Sequence, residues 1–117
     1  MSFDWLIRGG TVLDGTGAPG RRVDVGLTGD RVSALAPTLG GEAGQVVDAA
    51  GCIVAPGFID MHAHSDFALL AHPSAEAKVR QGVTTEVTGM CGFSPAPAPP
   101  GGGLLRERAA FLSPHLD

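Results

Sequence analysis

The sequence has little that would suit an oxidising compartment, a membrane or a nucleic acid. Cysteine occurs only twice, as Cys52 and Cys91. Two thiols suffice for one disulfide by counting, but a reducing compartment disfavours it. No apolar run approaches the ~20 residues that a membrane helix needs. The one early apolar stretch, Trp5-Leu6-Ile7, is flanked by Asp4 and Arg8, so residues 1–14 lack a signal-peptide layout. Charge is sparse, at 17% of residues and a formal net of -4, with Lys and Arg scattered. No basic patch forms for nucleic acid or an anionic membrane. The expectation is a cytoplasmic protein with no nucleic-acid or membrane partner.

What is present is an ordinary globular composition. The 117 residues are 44% hydrophobic, enough for a modest core. Glycine, at 18 residues, predicts tight turns and close backbone approaches.

Residues 3–14 (FDWLIRGGTVLD) read as a strand, a Gly9-Gly10 break and a second short strand, with Trp5 in the core. A turn-rich loop follows over 15–20. Val23, Val25 and Leu27 alternate with Asp24, Gly26 and Thr28, the period of a half-buried strand. Gly29-Asp30 suits a two-residue hairpin turn before the extended run 31–36. Val46-Val47-Asp48 and Cys52-Ile53-Val54 are further short strands, with Cys52 expected to be buried. Residues 1–55 thus read as a small antiparallel β-unit, too slight to be a complete domain.

The pattern changes at Pro56. GFIDMHAH is short, apolar and bounded by turn residues, as in a buried strand of a parallel sheet. Residues 73–81 carry helix formers between Pro73-Ser74 and Gly82. VTTEVT, residues 83–88, is β-branched and reads as the next strand. A Pro/Gly loop over 94–103 precedes a short amphipathic helix over 104–112. Residues 56–117 therefore read as the first two βα units of an α/β barrel. A complete (β/α)8 barrel needs ~250 residues. The chain stops at Ser113-Pro114-His115-Leu116-Asp117 without a capping element, so a truncated barrel is expected.

The chemistry concentrates at His62-Ala63-His64. Alternate strand residues share a face, so Phe58, Asp60, His62 and His64 would line up, with both imidazoles at the C-terminal end of the strand. Barrel enzymes keep their catalytic groups at that end, and two adjacent imidazoles can hold one divalent ion. Alternatively the histidines are ordinary surface residues. Cys91 closes the next strand, in TGMCG, and could reach the same ion as a thiolate; a buried inert cysteine is the other reading. Asp66 either orients an imidazole N–H, caps a helix or is a solvated loop charge. Asp60, ~13 Å below His64 by strand rise, suits a structural role. His72, His115 and Cys52 read as bystanders. No residue is placed to act as general acid/base.

Three stretches carry a family resemblance: DWLIRGGTVLDGTG, VDAAGCIVAPGFIDMHAHSD and VRQGVTTEVTGMCGFSPAP. Together, over residues 3 to about 98, the sequence resembles the start of the D-aminoacylase branch of the amidohydrolase superfamily. His-x-His after PGFID marks the superfamily, and QGVTT…TG-x-CG marks the branch. The resemblance implies a distorted (β/α)8 barrel, with the N-terminal β-unit completing a small β-sandwich with C-terminal strands. It implies one or two Zn2+ ions, with His62 and His64 on one metal position and Cys91 a zinc ligand able to bridge to it. Two more histidines and an aspartate general acid/base would lie further along. The implied substrate is a small molecule, an N-acyl-D-amino acid, hydrolysed at its amide. Glu86 departs from what a buried strand would carry. A cyclic-amide hydrolase of the dihydroorotase or hydantoinase kind is the second reading; such enzymes typically bridge two metals with a carboxylated lysine, and Cys91 argues against it. The third is a non-catalytic piece that binds one metal and turns nothing over.

Overall fold

The computed structural model describes residues 2–94 together with 96, 97, 100, 101, 103 and 107. The helix expected over 104–112 lies, Glu107 apart, outside the described residues, as does His115. The chain divides into two compact units, Met1–Pro56 and Gly57–Asp117.

The first unit is entirely β: β1 (Ser2–Arg8), β2 (Thr11–Val12), β3 (Arg21–Arg22), β4 (Asp24–Thr28), β5 (Arg31–Ala36), β6 (Glu42–Asp48) and β7 (Ile53–Val54). One sheet has the order β5-β4-β1-β6 and the other β3-β2-β7. The β4–β5 pair is the expected hairpin around Gly29-Asp30. The unit is not antiparallel throughout, however. β6 runs parallel to β1, and β7 parallel to β2. The cause is the crossing segment 37–41, which takes the chain from β5 at one edge to β6 at the other. Leu39 is buried in that crossing and packs with Phe3 and Leu6. Asp24 fastens it: one carboxylate oxygen accepts the Leu39 N–H at 2.9 Å, the other the Gly9 N–H at 3.0 Å.

Three further expectations for this unit are corrected. β4 is covered on both faces, not half-buried. Val23 and Val25 pack with Val12 on one side, while Asp24 is buried and a side chain at Gly26 would strike the Phe3 ring at 2.5 Å. Trp5 is 42% exposed. Its ladder neighbours are Leu27 and Gln45, and so large a ring is rarely buried whole. Cys52 is exposed as a free thiol. Its backbone is engaged by Thr11 N–H and Ala49 C=O, but β7 is too short to bury the side chain.

The second unit pairs β8 (Phe58–Asp60) with β9 (Val83–Glu86) in parallel. Between them lie two one-turn helices, α1 (Ala68–Ala71) and α2 (Glu76–Val79). The helix expected over 73–81 is thus trimmed to its middle. Ala75, which precedes it, is left-handed at φ 46°, so no helix starts at Pro73-Ser74; Gly82, at φ 82°, ends the segment as expected. Phe58 and Ile59 are exposed, whereas a buried strand was expected, because a two-stranded sheet leaves both its faces open. Ala63 and Phe67 are the buried apolar residues among the described residues of this unit.

Candidate metal centre

His62 and His64 do not lie on β8. The strand ends at Asp60, whose Oδ1 accepts the His62 N–H at 3.1 Å. The chain nevertheless stays beside its neighbour. Val87 N–H donates to Asp60 C=O, and Ala63 N–H donates to Val87 C=O. Ala63 is buried, and the histidines on either side of it are exposed. Their ring centroids are 5.1 Å apart.

Cys91 comes from the end of the other strand. It sits in the tight turn Met90–Gly92, with Gly89 at φ 84° before it and its own φ at 56°. Asp66 anchors this turn by accepting the Gly89 N–H on Oδ1 at 2.8 Å. The structure therefore gives Asp66 a backbone partner instead of an imidazole. Its other oxygen is buried and meets no hydrogen-bond partner among the described residues.

The three side chains converge. One donor atom each from His62, His64 and Cys91 lies within 4.8 Å of the others, and Cys91 Sγ is 3.4 Å from His62 Nε2. A tetrahedral zinc ion, with Zn–S of about 2.3 Å and Zn–N of about 2.05 Å, would hold such a pair ~3.6 Å apart. Two imidazoles and a thiolate are also the donor types that zinc takes. The residues present fit that ion.

Two neighbours were not singled out beforehand. Phe93 meets His64 edge-on, with centroids 5.7 Å apart. Together with Phe67, Ala68 and Cys91 these rings line a cleft of about 430 Å³. Lys78 is the single lysine of the chain. Its ammonium lies 2.5 Å from Asp60 Oδ2 and 3.1 Å from Glu86 Oε1. The ion pair gives Glu86, an acid on a strand where an apolar residue was expected, a counter-charge, although neither of its buried carboxylate oxygens meets a hydrogen-bond partner among the described residues. Hydrogen bonding to Lys78, then to the His62 N–H, holds the Asp60 carboxyl below its ordinary range. The Asp60 and Glu86 carboxylates in turn raise the Lys78 ammonium. His72 ends α1, away from the donor trio.

Two imidazoles and a thiolate that converge beyond the C-terminal ends of a parallel strand pair form an arrangement suited to holding a divalent metal ion. The chain belongs to the amidohydrolase family, whose model matches residues 45–106. It is 50% identical over 95 residues to a D-aminoacylase of Alcaligenes xylosoxydans xylosoxydans, covering 81% of this chain and 20% of that protein. It superposes with a TM-score of 0.79 and 47% identity on N-acyl-D-glutamate deacylase of Bordetella bronchiseptica, solved with zinc and a phosphonate mimic of the tetrahedral intermediate; 87% of this chain and 22% of that one are covered. A D-aminoacylase structure described for its binuclear metal centre gives a TM-score of 0.76 at 50% identity, over 87% of this chain and 22% of that one. The chain thus spans about a fifth of the length of these relatives. Among the described residues no helix is long and apolar enough to cross a membrane.

Proposed function

We propose that this chain forms the first strands of a (β/α)8 barrel and the N-terminal part of its metal site, in a zinc hydrolase that cleaves the amide of N-acyl-D-amino acids. The convergence of His62, His64 and Cys91 carries the reading. The likeness to D-aminoacylase and N-acyl-D-glutamate deacylase supports the substrate class. In this reading the β-unit of residues 1–56 belongs to a composite β-sandwich.

When bound, zinc supplies Lewis acidity to an amide carbonyl and activates water. The chain's own residues hold and frame the site. His62 and His64 offer two neutral nitrogens, and Cys91 a thiolate. Phe67 and Phe93 give the adjoining cleft an apolar wall, suited to an acyl chain and poor for water. Asp66 fixes the turn that aims Cys91. No carboxylate joins the donor trio among the described residues; in this reading the general acid/base comes from other residues of the whole protein.

The test is hydrolysis of N-acetyl-D-methionine against its L-isomer by the whole protein with zinc. The D-isomer is cleaved in preference, and Cys91→Ala abolishes turnover. Opening of a hydantoin or dihydroorotate ring with neither isomer cleaved would reassign the chain to the cyclic-amide branch.

A further inference from the structure

We infer that Lys78 is a positioning residue for the metal site, a cationic tie that sets the spacing between the two strand ends carrying the donors. This rests on the assignment of His62, His64 and Cys91 as metal ligands.

The ladder creates the problem that Lys78 solves. Asp60 and Glu86 are register partners in the β8–β9 pair. Like charges directly opposite on neighbouring strands repel. These two are partly withdrawn from water, with side chains 27% and 13% exposed, so solvent screens them poorly. Both are the last residues of their strands. His62 follows one by two positions and Cys91 follows the other by five. Repulsion here would therefore open the gap between the two halves of the donor set.

Lys78 stands between them, from a third element. It belongs to α2, which leads into β9, and its ammonium reaches both carboxylates. Asp60 then has one oxygen on Lys78 and the other on the His62 N–H. The chain of contacts runs from Glu86 through Lys78 and Asp60 to the backbone of a metal ligand. Groups that orient ligands from behind typically affect metal affinity by 10–100-fold. An ammonium that donates to one carboxylate and pairs electrostatically with the other, on two strands, is placed to do so without touching the ion.

The test uses the whole protein, stripped of metal and titrated with cobalt(II) against a competing chelator. The thiolate-to-cobalt absorption band reports the Cys91 bond, independent of turnover. Lys78→Met should weaken cobalt binding at least about tenfold and shift or weaken the band. Lys78→Arg, which keeps the cation, should restore much of both. The diagnostic variant is the double change Lys78→Met with Glu86→Val. It removes the repulsion along with the cation, so it should bind cobalt more tightly than Lys78→Met alone. A role for Lys78 in general stability alone would lower the folded fraction in Lys78→Met but leave the position of the band in the folded protein unchanged. Should Lys78→Met fail to fold, Lys78→Gln, which removes the cation but keeps a hydrogen-bonding end, should give a loss of the same order. Unchanged affinity and band in whichever single variant folds overturns the inference while the metal reading stands. A wild-type protein without the thiolate band removes both.

Discussion

Cys91 holds a backbone conformation that side chains disfavour. Its φ of 56° and ψ of 23° are left-handed, which costs a residue with a Cβ about 1–2 kcal/mol. Strain of this kind gathers at functional sites, and here it turns Sγ toward His62. The strain can be separated from the thiolate. Cys91→Ala and Cys91→Gly both lose the sulfur, but only glycine relaxes the turn. The metal-free glycine variant should be the more stable of the two by about 1 kcal/mol, after allowance for glycine's larger unfolded-state entropy. Urea denaturation of both variants checks this; equal midpoints would mean that the turn is unstrained. The donor types were readable from sequence because imidazoles and a thiolate at the ends of apolar runs are unusual there. The surroundings were not. Lys78 meets a carboxylate 18 positions away, and the exposure of Trp5 and Cys52 depends on what lies across a sheet.

Among the elements, β4 shows how one buried acid holds a crossing. Asp24 is 6% exposed and accepts N–H groups from Leu39 and Gly9. These two bonds, Leu39 first, hold its carboxyl below the ordinary value of 3.8. A depressed carboxyl stabilises the fold above its unfolded pKa, and that contribution is lost as pH falls through the lower folded value. Asp24→Asn should lower the melting temperature at neutral pH, because an amide presents N–H to at least one of the two donors. It should also flatten the acid limb of the stability profile below about pH 4. Melts across pH 2–7 decide the point: an acid limb as steep as wild type would assign the dependence to other carboxylates. The alternation of valines revealed β4 in the sequence, but its buried acid and the parallel seat of β6 are set by the crossing at 37–41. In the second unit the strand order was legible from β-branched runs. The placement of the histidines beyond β8 was not, because the capture of the His62 N–H by Asp60 is a side-chain event.

For the molecule as a whole, the exposed apolar residues are too many for 117 residues to remain well dispersed alone. Val32, Val46, Ile53, Phe58, Ile59, Met61 and Val79 are each more than half exposed. Uncovered apolar surface and open strand edges favour association. The isolated chain should elute as aggregate in size-exclusion chromatography, melt without a cooperative transition and release no amino acid from N-acetyl-D-methionine with zinc. A monodisperse, cooperatively melting monomer would show that these surfaces need no cover, and turnover would show that the donor trio suffices. On the proposed metal reading, the donor trio has one further property, its place along the chain. All three donors are synthesised by residue 91, and the two histidines close on the cysteine over fewer than 30 positions. Closing a loop of that length is fast, and its entropic cost grows only logarithmically with length. In proteins as long as the relatives matched, about four-fifths of the chain would still be unmade when the last of these donors is added. If these three residues hold zinc as proposed, their capture of the metal can begin on the nascent chain, before most of the protein is made.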